Sequence, residues 1–507
     1  MRALPAAREA PPARPAITHA LVALLLGGCA ARGAPPPLTP QVAALAAEVD
    51  SVLADPAFAR ASWGVAIQSL DNGQVLYRRD AGRLFLPASN LKLLTAAAAL
   101  VRLGADFRYR TPVLARGARR ADTLAGDLVV VGRGDPALAV DAATGADPLA
   151  PLRPWADSLR QRGIRVVRGR VLGDASLFTD PPLGPGWAWD DLDADYAAPV
   201  GALQLDESAA WIQAAPGAAA GQPVVAALLP PSAPLRLFDA ATTAPADSNV
   251  LALTWSRAPF GDSVALGGRM SAGHLAVRLP VSVPDPARYF VAGLGQALAD
   301  AGISVLDQDV PADSGAPDTL FTWESPPLDS VVALLLKQSQ NQIGETLLRT
   351  LGARVKGVGA MDSGRAVVRE VLTGFGVPPD AYVLADGSGL SRYNYVTPDA
   401  IGRVLEAMYR RPEFLPFYAA LPVAGLDGTL VLRLRGTRAA GNAHAKTGSL
   451  SNVRSLSGYV RTADGEMLSF VLLVNGFTAP QRVVDAAQDQ IVERLANFSR
   501  TGGRSGP

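Results

Sequence analysis

The sequence predicts an α/β (α+β) protein in which one domain is interrupted by a long insertion. Two observations carry this. Helical and strand patterns occupy both ends of the 507-residue chain, whereas residues from about 107 to 311 show short β-like runs joined by Pro- and Gly-rich connections. Hydrophobic residues make up 49% of the chain, enough for more than one core, and the length exceeds a single typical domain.

Taken in order, residues 41–60 carry apolar side chains at helical spacing. Trp63 to Leu70 and Gln74 to Tyr77 flank Asp71-Asn72-Gly73 and form a hairpin, because Asn-Gly accepts the backbone of a tight turn. Pro87 ends the preceding segment, and Ser89 opens a run of strong helix formers from Leu91 to Leu103. Inside the middle block, Gly126 to Val131, Val166 to Leu172 and Val264 to Leu279 are the strand-like runs. Pro151–Gly163 and Arg288–Gly302 are the helices there, and 215–247 is expected to be irregular surface. Helical patterns return over Pro327 to Leu351 and Gly364 to Phe375, followed by a turn-rich loop from Asp386 to Ser391 and a helix from Pro398 to Tyr409. Strands Ser455 to Thr462 and Leu468 to Asn475 come next, and a last helix covers Val483 to Phe498. The expected division is therefore 41–106 with 312–500 as the discontinuous domain, and 107–311 as inserted material.

The N-terminus has the composition of an export signal. Arg2, Arg8 and Arg14 precede an apolar run, Ala16 to Leu26, too short to span a bilayer. The run ends Leu26-Gly27-Gly28-Cys29, similar to a bacterial lipobox, and Cys29 is the sole cysteine. Residues 1–28 are then a signal peptide, Cys29 a lipidation site, and 29–40 a Pro-rich tether. The alternative is an ordinary signal peptide cut near Ala30, Ala31 or Ala34. With one cysteine no internal disulfide can form. Acidic and basic residues nearly balance at a net +1, which argues against a nucleic-acid partner.

Only four of the 47 basic side chains are lysines: Lys92, Lys337, Lys356 and Lys446. Arginine is favoured wherever a positive charge is enough, and two of the four lysines, Lys92 and Lys446, lie in short motifs that need an amine able to lose its proton. Lys92 stands three residues after Ser89, so the two share a helix face, and a depressed lysine there can activate the serine. Burial, the helix N-terminus and the second cation Lys446 are the expected causes of that depression. Lys446-Thr447-Gly448 sits in a strand pattern. Lys446 would supply positive potential, Thr447 a donor to a substrate carboxylate, and Gly448 an unobstructed strand edge. The backbone N–H groups of Ser449 and Ser89 would form an oxyanion hole. Ser339-Gln340-Asn341 adds a hydroxyl to relay a proton and an amide to bind substrate backbone. Each motif taken singly also fits a helix cap or a solvated lysine. A histidine-based triad is poorly supported: of His19, His274 and His444, only His444 lies near a motif. No metal-ligand cluster is apparent, and Gly132-Arg133-Gly134-Asp135-Pro136 is a turn rather than a nucleotide loop.

Ser-x-x-Lys, Ser-x-Asn and Lys-Thr-Gly in that order form the motif set of penicillin-recognising serine enzymes. The interval from Ser89 to Ser339 is more than twice that from Ser339 to Lys446, which leaves room for large insertions. With Gly126-Asp127-Leu128, Gly132-x-Gly134-Asp135-Pro136, the loop Asp386 to Arg392, Asn394 and Thr397-Pro398, the chain resembles class C low-molecular-mass penicillin-binding proteins. These form the D-alanyl-D-alanine carboxypeptidase/endopeptidase family, and the resemblance runs from about residue 45 to 498.

The resemblance implies a transpeptidase-like domain, an antiparallel five-stranded sheet flanked by helices, with two nested β-rich insertions. It implies peptidoglycan stem peptides as substrate, β-lactams as acylating inhibitors, and no cofactor. Ser89 would attack the penultimate D-Ala carbonyl, Lys92 would take its proton, and Ser339, tuned by Lys446, would protonate the leaving amine. Asn341 would hold the peptide backbone, Thr447 and Ser449 the terminal carboxylate, and Gly448 would line the strand edge. The implied address is the bacterial cell envelope, periplasmic and lipid-anchored at Cys29; most members are soluble periplasmic proteins, so the anchor is a variation. The segment about 205–250 matches the family only loosely. Two rivals share the motifs: a serine β-lactamase, which lacks so long an insertion, and a peptidoglycan-binding sensor without turnover.

Overall fold

A computed structural model describes residues 39–140, 145–309 and 317–501. The expected signal peptide, Cys29 and almost all of the tether fall outside these residues. Among the described residues, no helix is long and apolar enough to cross a membrane.

The two ends of the chain meet in one antiparallel sheet of five strands. Its order is His444–Leu450, Val453–Arg461, Met467–Asn475, Ser62–Ser69 and Val75–Arg79. Alternation along the third of these shows why both faces are covered. Val471 and Leu473 enter the core beneath the helices that carry the motifs, whereas Leu472 and Val474 enter a second core under the first and last helices. Every residue from Met467 to Val474 is buried, which accounts for the continuous apolar run Phe470 to Val474 in place of an alternating one. The first core packs Leu93, Leu94, Val332, Leu347, Val368 and Val404 from five helices; the second packs Val42, Val49, Val484, Ile491 and Leu495.

The middle block holds its own core around Trp155, Leu128, Tyr289 and Phe290. Its largest sheet centres on Arg110–Arg120 and Thr123–Val131 and takes a strand, Asp318–Glu324, from beyond position 311. The helices at Arg153–Gln161 and Pro286–Asp300 stand within two residues of their expected starts. Residues 215–247 differ from expectation. They contribute Val225–Leu229, Arg236–Asp239 and Thr242–Ala244, short strands that pair with the longer Ala209–Ala215 and Ser263–Ser271. Such strands take their hydrogen bonds from a neighbour distant in sequence, so local pattern does not reveal them.

Two further differences bear on the site. The helical region beginning at Pro327 divides into Leu328–Lys337 and Asn341–Leu351. Ser339 between them has a left-handed backbone, φ +66°, which no helix interior accommodates. Ser89 does not cap a helix: it lies in a 3-10 turn, Ala88–Leu91, and Lys92 is the first residue of the following helix, Lys92–Leu103.

Candidate active site

The 3-10 turn places the Ser89 hydroxyl and the Lys92 amine on one face. Lys92 Nζ donates to Ser89 Oγ at 2.9 Å, to Asn341 Oδ1 at 2.6 Å and to the Ser388 carbonyl at 2.8 Å. When the amine gives up one proton, two N–H donors remain for Asn341 and Ser388, and the lone pair is left facing Ser89. That is the geometry of a base. Lys92 is fully buried, and desolvation lowers its pKa to about 7, against the opposing charges of Asp386 and Glu345. Burial was an expected cause; the two carboxylates were not anticipated.

Lys446 is also fully buried. Its Nζ donates to Ser339 Oγ and to the Thr447 carbonyl, both at 2.9 Å. Burial, and then the nearby Lys92, push its pKa well down. Asn341 ties the same corner to the middle block, because its Nδ2 donates to the Tyr196 carbonyl at 2.7 Å.

The turn that carries Ser89 is fastened to the sheet at two points. Asn90 Nδ2 donates to the Lys446 carbonyl at 2.9 Å, and Ser455 Oγ to the Pro87 carbonyl at 2.7 Å. Gly448 has a more specific reason than an unobstructed strand edge. A Cβ there would stand 2.1 Å from Ser455 Oγ and 3.0 Å from the Ser89 backbone nitrogen, so only glycine lets strand and turn approach.

Ser89, Ser339, Asn341, Thr447, Gly448 and Ser449 all line one cavity of about 480 Å³, while Lys92 and Lys446 lie beneath its floor. Thr447 and Ser449, two apart on the strand, share a face. Thr447 Oγ1 donates to Thr429 Oγ1 at 2.7 Å, and Arg454 donates to Ser449 Oγ. Ala188, Asp191 and Tyr196 close the cavity from the middle block, and Arg392 from the loop that follows Asp386. His444 is not part of it: the ring stacks on Tyr418 at 3.9 Å and contributes to packing. Among the described residues, no group of three or more His, Cys, Asp or Glu could hold a metal ion.

Tyr196, Thr429, Asn90, Ser388 and Glu345 were not singled out from the sequence. For Glu345 a signal existed, since it stands one helical turn after Asn341 on a helix buried from Gln342 onward. Ser388 lies in the family-like loop from Asp386 to Arg392, though its contact with Lys92 was not expected; Tyr196, Thr429 and Asn90 act through contacts between distant segments, which no local motif encodes.

Comparison with known proteins agrees with this geometry. The profile of the D-Ala-D-Ala carboxypeptidase 3 (S13) family matches residues 45–498. The chain belongs to that family. A D-alanyl-D-alanine carboxypeptidase from Actinomadura sp. (strain R39) is 36% identical over 471 residues, covering 89% of this chain and 84% of that protein. The D-alanyl-D-alanine carboxypeptidase DacB of Haemophilus influenzae is 27% identical, over 82% of this chain and 85% of its own. Among solved structures, penicillin binding protein 4 (dacB) from the same organism superposes with a TM-score of 0.75 at 26% identity, covering 89% of this chain and 99% of that one. The protein is thus a serine-type D-Ala-D-Ala peptidase with the class C penicillin-binding fold.

Proposed function

We propose that the peptidase acts on peptidoglycan stem peptides through an acyl-enzyme on Ser89. The observation that carries this reading is the Lys92 amine, buried and 2.9 Å from Ser89 Oγ, with its other donors already engaged. The neutral amine takes the hydroxyl proton as Ser89 Oγ bonds to the penultimate D-Ala carbonyl carbon. The N–H groups of Ser89 and Ser449 receive the developing oxyanion. Ser339 passes a proton to the departing D-Ala nitrogen and takes one in turn from Lys446 Nζ, 2.9 Å from its hydroxyl. Water then attacks the ester and frees the serine. Thr447 and Ser449 receive the terminal carboxylate, and Asn341 the substrate backbone.

The same attack on a D-Ala cross-link yields endopeptidase activity, and the strained amide of a β-lactam acylates Ser89 in place of the dipeptide. Export by residues 1–28, lipidation at Cys29 and a tether through residue 40 would hold the enzyme in the cell envelope, within reach of cross-links. Residues 107–311 are read as two nested insertions. Purified muropeptides test the substrate: the enzyme releases D-Ala from pentapeptide stems and splits cross-linked dimers, and Ser89→Ala does neither. Absence of both products with the wild-type protein contradicts the proposal.

A further inference from the structure

Behind Lys92 lies a chain of buried polar groups that reaches the middle block. Glu345 Oε1 accepts the backbone N–H groups of Gly387 and Ser388, each at 2.9 Å, and the Ser388 carbonyl in turn accepts from Lys92 Nζ at 2.8 Å. Gly344 and Gly387 allow this contact: a Cβ on Gly387 would stand 2.4 Å from the Gly344 carbonyl oxygen. Glu345 Oε2 faces Arg349 Nη1 at 3.3 Å, and Arg349 Nε meets Asp180 Oδ1 at 2.9 Å. Arg349 Nη2 also donates to the Pro181 carbonyl at 3.2 Å. Trp187 Nε1, from the same stretch, donates to Asp386 Oδ2 at 3.1 Å. Glu345 and Arg349 are essentially without solvent exposure.

We propose that Glu345 is a positioning residue for Lys92: it fixes the loop backbone at 387 and 388, immediately before the Ser388 carbonyl that holds the amine on Ser89, and its charge helps retain the proton there. This deepens the proposed function and rests on Lys92 being the base. A buried carboxylate with two N–H donors and a guanidinium is costly to assemble and stable once assembled. Its service to the site is twofold. The hydrogen bonds hold the backbone on one side of the Ser388 carbonyl, while Asp386 Oδ1 accepts the Gly389 N–H at 2.8 Å on the other. The charge offsets desolvation of Lys92 and keeps the amine basic enough to take a serine proton. The groups facing Lys92 are Lys446 from the edge strand, Asp386 from the loop, and Glu345 with Arg349 behind it from the helix. Of these, Asp386 and then Glu345 raise the lysine, against the larger lowering by burial. Burial and then Asp386 push the Glu345 pKa up, while Arg349 and the loop N–H groups oppose that rise and favour the ionised carboxylate. The middle block thereby gains a role apart from substrate contact: Asp180, Pro181 and Trp187 brace the acidic pair.

The test is the pH dependence of benzylpenicillin acylation, read as adduct formation on the intact protein, with thermal unfolding as a check on folding. Glu345→Gln keeps an oxygen for the loop N–H groups but removes the charge. Its acid limb shifts downward by about one pH unit, the scale of losing one nearby opposite charge. Glu345→Asp keeps the charge and withdraws the oxygen, so its limb stays near the wild-type position while the limiting rate falls by about tenfold to a hundredfold. A Glu345→Gln limb that stays in place or moves upward overturns the proposal. So does Glu345→Asp acylating at the wild-type rate, and this arm stands even if the glutamine variant fails to fold. An adduct on Ser89→Ala would remove the nucleophile assignment itself, and this inference with it.

Discussion

The start of the helix that follows Ser89 and the edge strand each bury a lysine completely, and the two lysines sit in different surroundings. At Lys92 three acceptors surround the amine, two carboxylates lie close by, and the pKa settles at about 7. At Lys446 the partners are a hydroxyl and a carbonyl, and the strongest neighbouring charge is another lysine. The first environment allows the proton to come and go near neutral pH; the second places two donors beneath the cavity floor, on Ser339 and the Thr447 carbonyl. Lys337 and Lys356, by contrast, form ordinary ion pairs with Asp427 and Glu370. Burial alone therefore does not set a lysine's task; the charges placed around it do.

The comparison breaks most directly at Lys92. Lys92→Arg retains the charge but removes the base, and penicillin acylation should fall by about 10²–10⁴-fold. Near-wild-type labelling would show that the base lies elsewhere. The pH profile sharpens the same point. Because Ser89 needs the neutral amine, acylation by the wild type should lose about tenfold per unit as pH falls below the Lys92 pKa and level off above it. A rate independent of pH between 5 and 8 would contradict that role.

A smaller loss is expected at Gly448. Gly448→Ala would press a methyl onto Ser455 Oγ and the nucleophile turn, costing about 1–3 kcal/mol of stability and slowing acylation together. Denaturant titration beside adduct kinetics would show whether both change. Lys446→Arg should have the least effect of the three substitutions, because potential matters there more than proton exchange. If it proves as damaging as Lys92→Arg, the two lysines are not distinct in task.

Much of the catalytic half was legible because its signals are local. Ser89 and Lys92 lie one helical turn apart, Lys446 to Ser449 form a continuous strand, and the pattern of the last two strands and helix matches what forms. The positions of those motifs against each other were not local. Asn90 reaching Lys446, Ser455 reaching Pro87 and Glu345 reaching the 387–388 peptide each join segments far apart in the chain. The break at Ser339 escaped periodicity because Gln338, Ser339 and Gln340 are all tolerated in helices, and only the positive φ marks the turn. The middle block was the least legible: strands of three to five residues between 225 and 244 exist only because longer strands stand beside them.

The central claim is that Ser89 is acylated with Lys92 as its base. Brief exposure of wild type, Ser89→Ala and Lys92→Arg to benzylpenicillin, followed by whole-protein and peptide mass spectrometry over time, tests it directly. The account predicts a single persistent adduct on Ser89 in the wild type and almost none in either variant. An adduct on another residue, or labelling of either variant at near the wild-type rate, would contradict it.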